Sequence, residues 1–162
     1  MAILTIRMAP DPVLRQKAKR VNIFDGSLQK LIQDMRETMH AAPGVGLAAP
    51  QVGVPLRIVV IGLPEQEDIV LLNPQIVRRS GERIVSEGCL SIPGYVGEIK
   101  RAVSVTVKAH DLTGKEIRLK GQELLAQALE HEIDHINGIL YIDHLESPDK
   151  LSKLEPAETS PA

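Results

Sequence analysis

Apolar residues recur every three or four positions in two stretches of this chain, and roughly alternate with polar ones between them. Leu28, Leu31, Ile32, Met35 and Met39 form the first stripe, which predicts a helix over about 28–40. Ser27 is placed to cap its start, and Ala41-Ala42-Pro43-Gly44 to stop it. Leu124, Leu125, Ala128, Leu129 and Ile136 form the second stripe, a helix that opens near Gly121 and ends at Asn137-Gly138. The β-branched runs at 57–61, 69–72, 83–85 and 103–108 read as strands, with 116–120 as hairpin partner of the last. Asn73-Pro74, Ser80-Gly81, Pro93-Gly94 and Thr113-Gly114 read as the turns between them. Residues 1–25 predict a short strand and then irregular chain with one helical turn. Residues 139–142 predict a short extended segment. From Glu146 onward Pro148, Pro156, Pro161 and many polar residues predict a tail, partly disordered beyond a short helical piece near 149–154.

These elements, with neither an internal repeat nor a linker, predict an α+β fold in which short antiparallel sheets pack around a helix. The expected organisation is a single domain over 1–145 and a polar tail over 146–162.

Composition narrows the function. At 162 residues, 43% of them hydrophobic, the chain is long enough for one domain with a sizeable core. A net charge of −2 gives no electrostatic reason for a polyanion partner, and the Arg15, Lys17, Lys19, Arg20 cluster reads as a solvated face. Phe24, Tyr95 and Tyr141 are the only aromatics among Phe, Trp and Tyr, too few for a base-stacking surface. No apolar run approaches the roughly 20 residues of a membrane span. The N-terminus has no secretory pattern, so the expected location is cytoplasmic. The one cysteine, Cys89, excludes an intrachain disulfide. It is either a small buried hydrophobe or a working thiol.

The chemistry concentrates in the second helix. His131-Glu132-Ile133-Asp134-His135 reads His-Glu-x-x-His. Residues four apart share one helix face, so both imidazoles can reach one metal ion, and Glu132 can act as general base toward a water activated there. Such a site needs a third ligand. Downstream candidates are Asp143, His144 and Glu146. Upstream, Cys89 lies in Glu87-Gly88-Cys89-Leu90-Ser91, next to a glycine and before the Ile92-Pro93-Gly94 turn. A Cys-His-His set with an open fourth position is the pattern of a catalytic metal site. The loop Gly44-Val45-Gly46-Leu47-Ala48-Ala49-Pro50-Gln51 lacks the residues of a phosphate or dinucleotide loop, and reads as a place of close backbone approach.

In order and separation, the Gly44 to Gln51, Glu87 to Ser91 and His131 to His135 segments resemble the three signature motifs of the peptide deformylases. The similarity covers roughly residues 7–145, including Pro12-Val13-Leu14-Arg15. The resemblance implies a hydrolase of N-terminal processing, releasing formate from the formyl-methionine of newly made proteins. It implies Cys89, His131 and His135 as metal ligands and Glu132 as the proton carrier. The Gln51 side-chain amide and the Leu90 backbone N–H are the implied donors to the oxyanion. Gly44, Val45, Gly46 and Ala128 are the implied substrate-binding residues. A methionine pocket is expected from Val45, Leu90, Ala128 and the His131 ring, with Gln127 at its edge. The implied cofactor is Fe(II), with zinc, nickel or cobalt as substitutes, whereas ligand type alone suggests zinc. The implied partners are formyl-methionyl nascent peptides. Ribosome contact would be transient, no docking helix is legible in the tail, and neither DNA nor membrane is expected.

Some roles stay open at this level. Glu87 and Arg101 either pair to fix the cysteine loop or are unrelated surface charges. Asp134 either orients a histidine or is a solvated carboxylate. The departures from the family pattern are Glu130, Ile136 and the polar Gln127. A zinc endopeptidase using a downstream ligand, and a silent peptide or metal binder, are the alternative functions. The intact Glu132 and Gln51 argue against the second.

Overall fold

The computed structural model describes residues 2–42 and 44–154. It is an α+β fold of two helices and eight strands. The strands are β1 (Gly46–Ala48), β2 (Ile58–Ile61), β3 (Ile69–Ser80), β4 (Arg83–Cys89), β5 (Ile92–Arg101), β6 (Ser104–His110), β7 (Glu116–Gln122) and β8 (Leu151–Lys153). The helices are α1 (Gly26–Ala41) and α2 (Leu124–Ile136). These strands pair with one another antiparallel throughout, and a lone parallel bridge joins Lys19 and Leu56 outside them. The larger sheet has the order β1-β2-β3-β6-β7 and the smaller one β4-β5-β8.

The larger sheet separates the two helices, and the two-residue period of β2 shows how. Ile58 and Val60 pack with Leu28, Ile32, Met35 and Met39 of α1. Val59 and Ile61 face the other way, into a cluster with Ala126, Leu129, Ile133 and Ile136 of α2. A strand buried on both faces reads as an unbroken apolar run, as Ile58 to Ile61 does. The smaller sheet has its own cluster of Val85, Cys89, Ile99 and Tyr141. The second helix therefore lies between the larger sheet and the cysteine-bearing hairpin.

Local expectations fail where tertiary pairing overrides turn chemistry. The α1 cap is Asp25, not Ser27: Asp25 Oδ1 accepts from the Leu28 N–H at 3.1 Å and also from Ser27 Oγ. A carboxylate is favoured there because it faces the positive end of the helix. Gly121 belongs to β7, and α2 begins three residues later. A Cβ at Gly121 would stand 2.8 Å from both Leu125 and Leu129, so the glycine lets the helix close onto the strand. Asn73-Pro74 is not a turn. β3 runs through it with a register shift, and the Asn73 amide bonds both backbone groups of Val21.

Pro93-Gly94 also lies within a strand. The chain reverses earlier, at Leu90-Ser91, because Cys89 pairs with Ile92. The Gly44 to Gln51 segment is not all loop, since it supplies edge strand β1 and a 3₁₀ turn over Ala49–Val52. Residues 2–25 form no strand, but a 3₁₀ turn over Pro12–Arg15 and a single parallel bridge from Lys19 to Leu56. Of the 139–142 segment, Leu140 is extended but Tyr141 and Ile142 open a 3₁₀ turn, Tyr141–His144. In the tail the helical piece is confined to Pro148–Lys150, and β8 follows by pairing with β5. The remainder of the expected disordered tail, 155–162, lies outside the described residues.

Candidate metal centre

Cys89, His131 and His135 are all buried, and one ligand atom from each lies within 4.8 Å of the others. His131 and His135 stand one turn apart on α2, and Cys89 ends β4 in the tight hairpin opposite. Cys89 Sγ is 3.3 Å from His135 Nε2, which is 3.1 Å from His131 Nε2. Three buried lone-pair donors facing one another are mutually repulsive unless a cation or protons lie between them. Sulfur with two imidazoles suits a divalent transition metal.

The surroundings fit that cation. His131 Nδ1 faces Glu87 Oε2 at 2.5 Å, which leaves Nε2 for the centre. Arg101 grips the same carboxylate with two bonds, Nε to Oε1 at 3.0 Å and Nη2 to Oε2 at 2.6 Å. Burial alone would raise the Glu87 carboxyl, but His131 and Arg101 outweigh it and hold it at about 2. Despite its own burial, His131 is held well above the ordinary imidazole value by Glu132, Cys89 and Glu87, so the site attracts positive charge. Burial and the neighbouring His131 push His135 well below that value. His135 Nδ1 has no hydrogen-bond partner within the described chain.

Glu132 projects from the same turn and is 2% exposed. Burial pushes its carboxyl up to about 7. Its Oε1 is buried without a partner among the described residues, while Oε2 lies 4.0 Å from His131 Nε2. Gly46 makes this position available: a Cβ there would lie 2.5 Å from Glu132 Oε2. An unpaired carboxylate beside a cation site is poised to take and return a proton.

Gln51 is buried beneath the centre. Its Oε1 accepts from the Ala48 N–H at 3.0 Å, which orients Nε2 toward Cys89 Sγ at 3.6 Å and Ser91 Oγ at 3.2 Å. Leu90 sits at the hairpin tip between Cys89 and Ser91. The N-terminal segment ties both loops down, with Arg7 N–H donating to Gln51 O and Ala9 N–H to Ser91 O.

A pocket of about 210 Å³ opens beside Glu132, lined by Val45, Ser86, Glu87, Gly88, Leu124, Gln127, Ala128 and His131. Val45, Ala128, Gln127 and His131 take their expected places. Leu90 does not line it and packs against the α1 cluster instead. Gly44 is also absent from the lining, and its N–H donates to Met39 O at the end of α1. Sequence reasoning missed Leu124, Ser86 and Gly88. Leu124, Gln127, Ala128 and His131 fall at i, i+3, i+4 and i+7, a helix-face spacing that would have found the first. Ser91, the Gln51 partner, was also missed.

The open roles resolve in different ways. Glu87 and Arg101 form a buried pair. Asp134 touches neither site histidine; it accepts from Arg101 Nη1 at 2.8 Å and meets His144 Nε2 at 2.8 Å. Glu130 is structural, accepting from the Ala102 N–H and pairing with Arg79. The downstream ligand candidates are engaged elsewhere, Asp143 with Arg15, His144 with Asp134 and Glu146 with Lys100.

Residues 3–151 match the family model described as polypeptide deformylase. A peptide deformylase of Dehalococcoides mccartyi (strain CBDB1) is 57% identical over 162 residues, covering 99% of this chain and 97% of that one. The crystal structure of a peptide deformylase from Legionella pneumophila is 53% identical with a TM-score of 0.88, over 92% of this chain and 89% of that one. One from Synechococcus elongatus, in complex with actinonin, is 41% identical with a TM-score of 0.89, over 93% and 84%.

Proposed function

The chain belongs to the polypeptide deformylase family, and from that premise we propose which of its residues carry the reaction. The reaction is metal-dependent hydrolysis of the N-formyl group of newly made peptides. Water adds to the formyl carbon, the C–N bond breaks, and formate and a free amine leave.

Cys89, His131 and His135 hold the metal, supported by their convergence and by the cation-attracting surroundings. We assign Fe(II) in the cell, with zinc, nickel or cobalt able to replace it. When bound, the metal supplies Lewis acidity to the attacking water and the formyl oxygen. Glu132 takes the proton released by that water and passes it to the leaving nitrogen. Its unpaired Oε1 and raised carboxyl supply the acceptor. The Gln51 Nε2 and the Leu90 N–H donate to the oxygen that becomes negative in the tetrahedral intermediate. Gln51 is already aimed by its bond from Ala48, so it loses little freedom on donating.

β1 is the edge strand of the larger sheet, paired among the described residues only with β2. Its open side suits an extended peptide lying beside Val45 and Gly46, as strand addition requires. Gly44 would act at the approach, by a group other than its committed N–H. The methionine side chain enters the pocket of about 210 Å³ over Ala128. Whole-ligand pockets run to about 300–1,000 Å³, so this volume suits one side chain with its backbone outside. We take 1–145 as the catalytic domain, extended by β8. No helix among the described residues is long and apolar enough to cross a membrane. We place the enzyme in the cytoplasm, meeting nascent chains in transient contact with the ribosome.

The observation that carries this reading is the unpaired Glu132 carboxylate beside three convergent ligand atoms. The test is formate release from a formyl-Met tripeptide by protein purified without oxygen and loaded with Fe(II), beside Glu132→Ala. The expected result is formate from the wild type and a loss of at least about 10²-fold in the variant. No formate, despite stoichiometric bound metal, would overturn it.

A further inference from the structure

One wall of the pocket beside Glu132 is a stripe of α2 in which Gln127 interrupts otherwise apolar surface, while Ser86, Glu87 and Glu132 bring polar groups from elsewhere on the lining. Leu124, Ala128 and the His131 ring present apolar surface from one stripe of α2, and Val45 does so from the opposite side. Within that stripe Gln127 presents a primary amide. Its Nε2 donates to Glu87 Oε1 at 3.3 Å and makes a longer contact of 3.5 Å with Ser86 O. The amide is thus tied across the pocket to β4. Glu87 does not need that bond, because Arg101 and His131 already engage both its oxygens. The tether fixes the nitrogen end of Gln127, and Oε1 accepts no hydrogen bond within the described chain. Exposed Ser86 and Leu124, the latter 45% exposed, leave the pocket mouth in contact with water.

We propose that Gln127 is a specificity-determining residue, and that it lets the pocket accept an unbranched side chain ending in an amide as well as a thioether. The substrate class is formyl peptides whose first residue is glutamine, which matches methionine closely in length and lack of branching. This rests on the deformylase reading of the site. A dry apolar wall rejects an amide because the amide loses its hydration and gains no partner. A wall carrying a fixed carbonyl acceptor returns one hydrogen bond, and the wet mouth returns another. The methionine thioether needs neither bond, so the same wall does not exclude it.

The test compares kcat/KM for formyl-Met-Ala-Ser, formyl-norleucyl-Ala-Ser and formyl-Gln-Ala-Ser on Fe(II)-loaded wild type, Gln127→Leu and Gln127→Val. Ratios between substrates on one preparation do not depend on how much of the protein is active. In the wild type the glutamine peptide is expected within roughly tenfold of the methionine peptide, since its amide keeps its partners. In both variants that gap should widen by roughly another tenfold, mainly through KM, while the norleucine-to-methionine ratio moves less than about twofold. A glutamine-to-methionine ratio that is the same in wild type and both variants would overturn the proposal. So would a wild type that rejects the glutamine peptide by more than about a hundredfold, the discrimination expected of a wall that leaves the amide unpaired. No formate from any of the three peptides would instead overturn the reading on which it rests.

Discussion

Gly46 has no side chain because Glu132 occupies the space one would fill. The motif around Gly46 was legible in the sequence, but its reason was not, since the contact joins residues 86 positions apart that only the fold brings together. Gly46→Ala should therefore leave the protein folded but push the carboxylate aside, and a misplacement of about 1 Å costs about 10²-fold in rate. Steady-state kinetics beside a urea melt separate the two effects. A variant with wild-type kcat would show that Glu132 has room to spare. Tyr141 poses the opposite problem. Its ring stacks beside His131 at 6.5 Å, while its hydroxyl is buried without a partner among the described residues and pushed up to about 12 by burial and the charges of Cys89 and Glu87. A neutral, unpaired hydroxyl contributes nothing that phenylalanine would lose. Tyr141→Phe is expected to be unchanged or up to about 1 kcal/mol more stable in urea. A loss of that size would reveal a partner for the oxygen.

Among the elements, both helices were legible within a few residues because their apolar stripes face different sides of one sheet. The failures at Gly121, Asn73-Pro74 and Pro93-Gly94 share a cause. Gly121 reads as a helix start and the other two as turns, and each is held in a strand by pairing or packing with residues far along the chain. In the site, the His-Glu-x-x-His spacing follows from helix geometry, whereas the Glu87–Arg101–Asp134 chain crosses three elements and has no local signature. The end of α1 shows another such link. Asp68, with its side chain 6% exposed, accepts from Arg36 Nε at 2.9 Å and contacts His40 Nε2 at 2.8 Å. Burial would raise its carboxyl, but His40 and Arg36 together hold it below its ordinary value of 3.8. A carboxylate depressed in the folded state contributes stability above its unfolded pKa and loses it as the pH falls through the folded value. Asp68→Asn should therefore be less stable than wild type at neutral pH, and the gap should close as the pH drops below about 3.8. Urea midpoints across that range test this. A gap constant with pH would place the effect in packing, not charge.

Across the whole molecule, the candidate metal centre joins two parts of the fold. Cys89 belongs to the smaller sheet and its cluster, while His131 and His135 belong to the helix packed on the larger sheet. A metal held by all three would tie the two sheets together across 42 residues of chain, counted from Cys89 to His131. It would also relieve the repulsion among lone pairs set 3.1 and 3.3 Å apart. Such binding is linked to folding, because the unfolded chain does not hold these ligands together. At free metal about a hundredfold above the dissociation constant, the linkage is worth about 2.7 kcal/mol. For a domain of this size that is about 5–11 °C in Tm. Chelation should lower the Tm of loaded wild type by this amount. Cys89→Ser, which weakens one of the three ligands, should start lower and respond much less to chelator. The control is the metal-free wild type, whose Tm should match the chelated sample. If loaded and chelated wild type melt together although metal analysis shows one ion per chain, the ion is not held by groups that folding assembles, and this cluster is not its site.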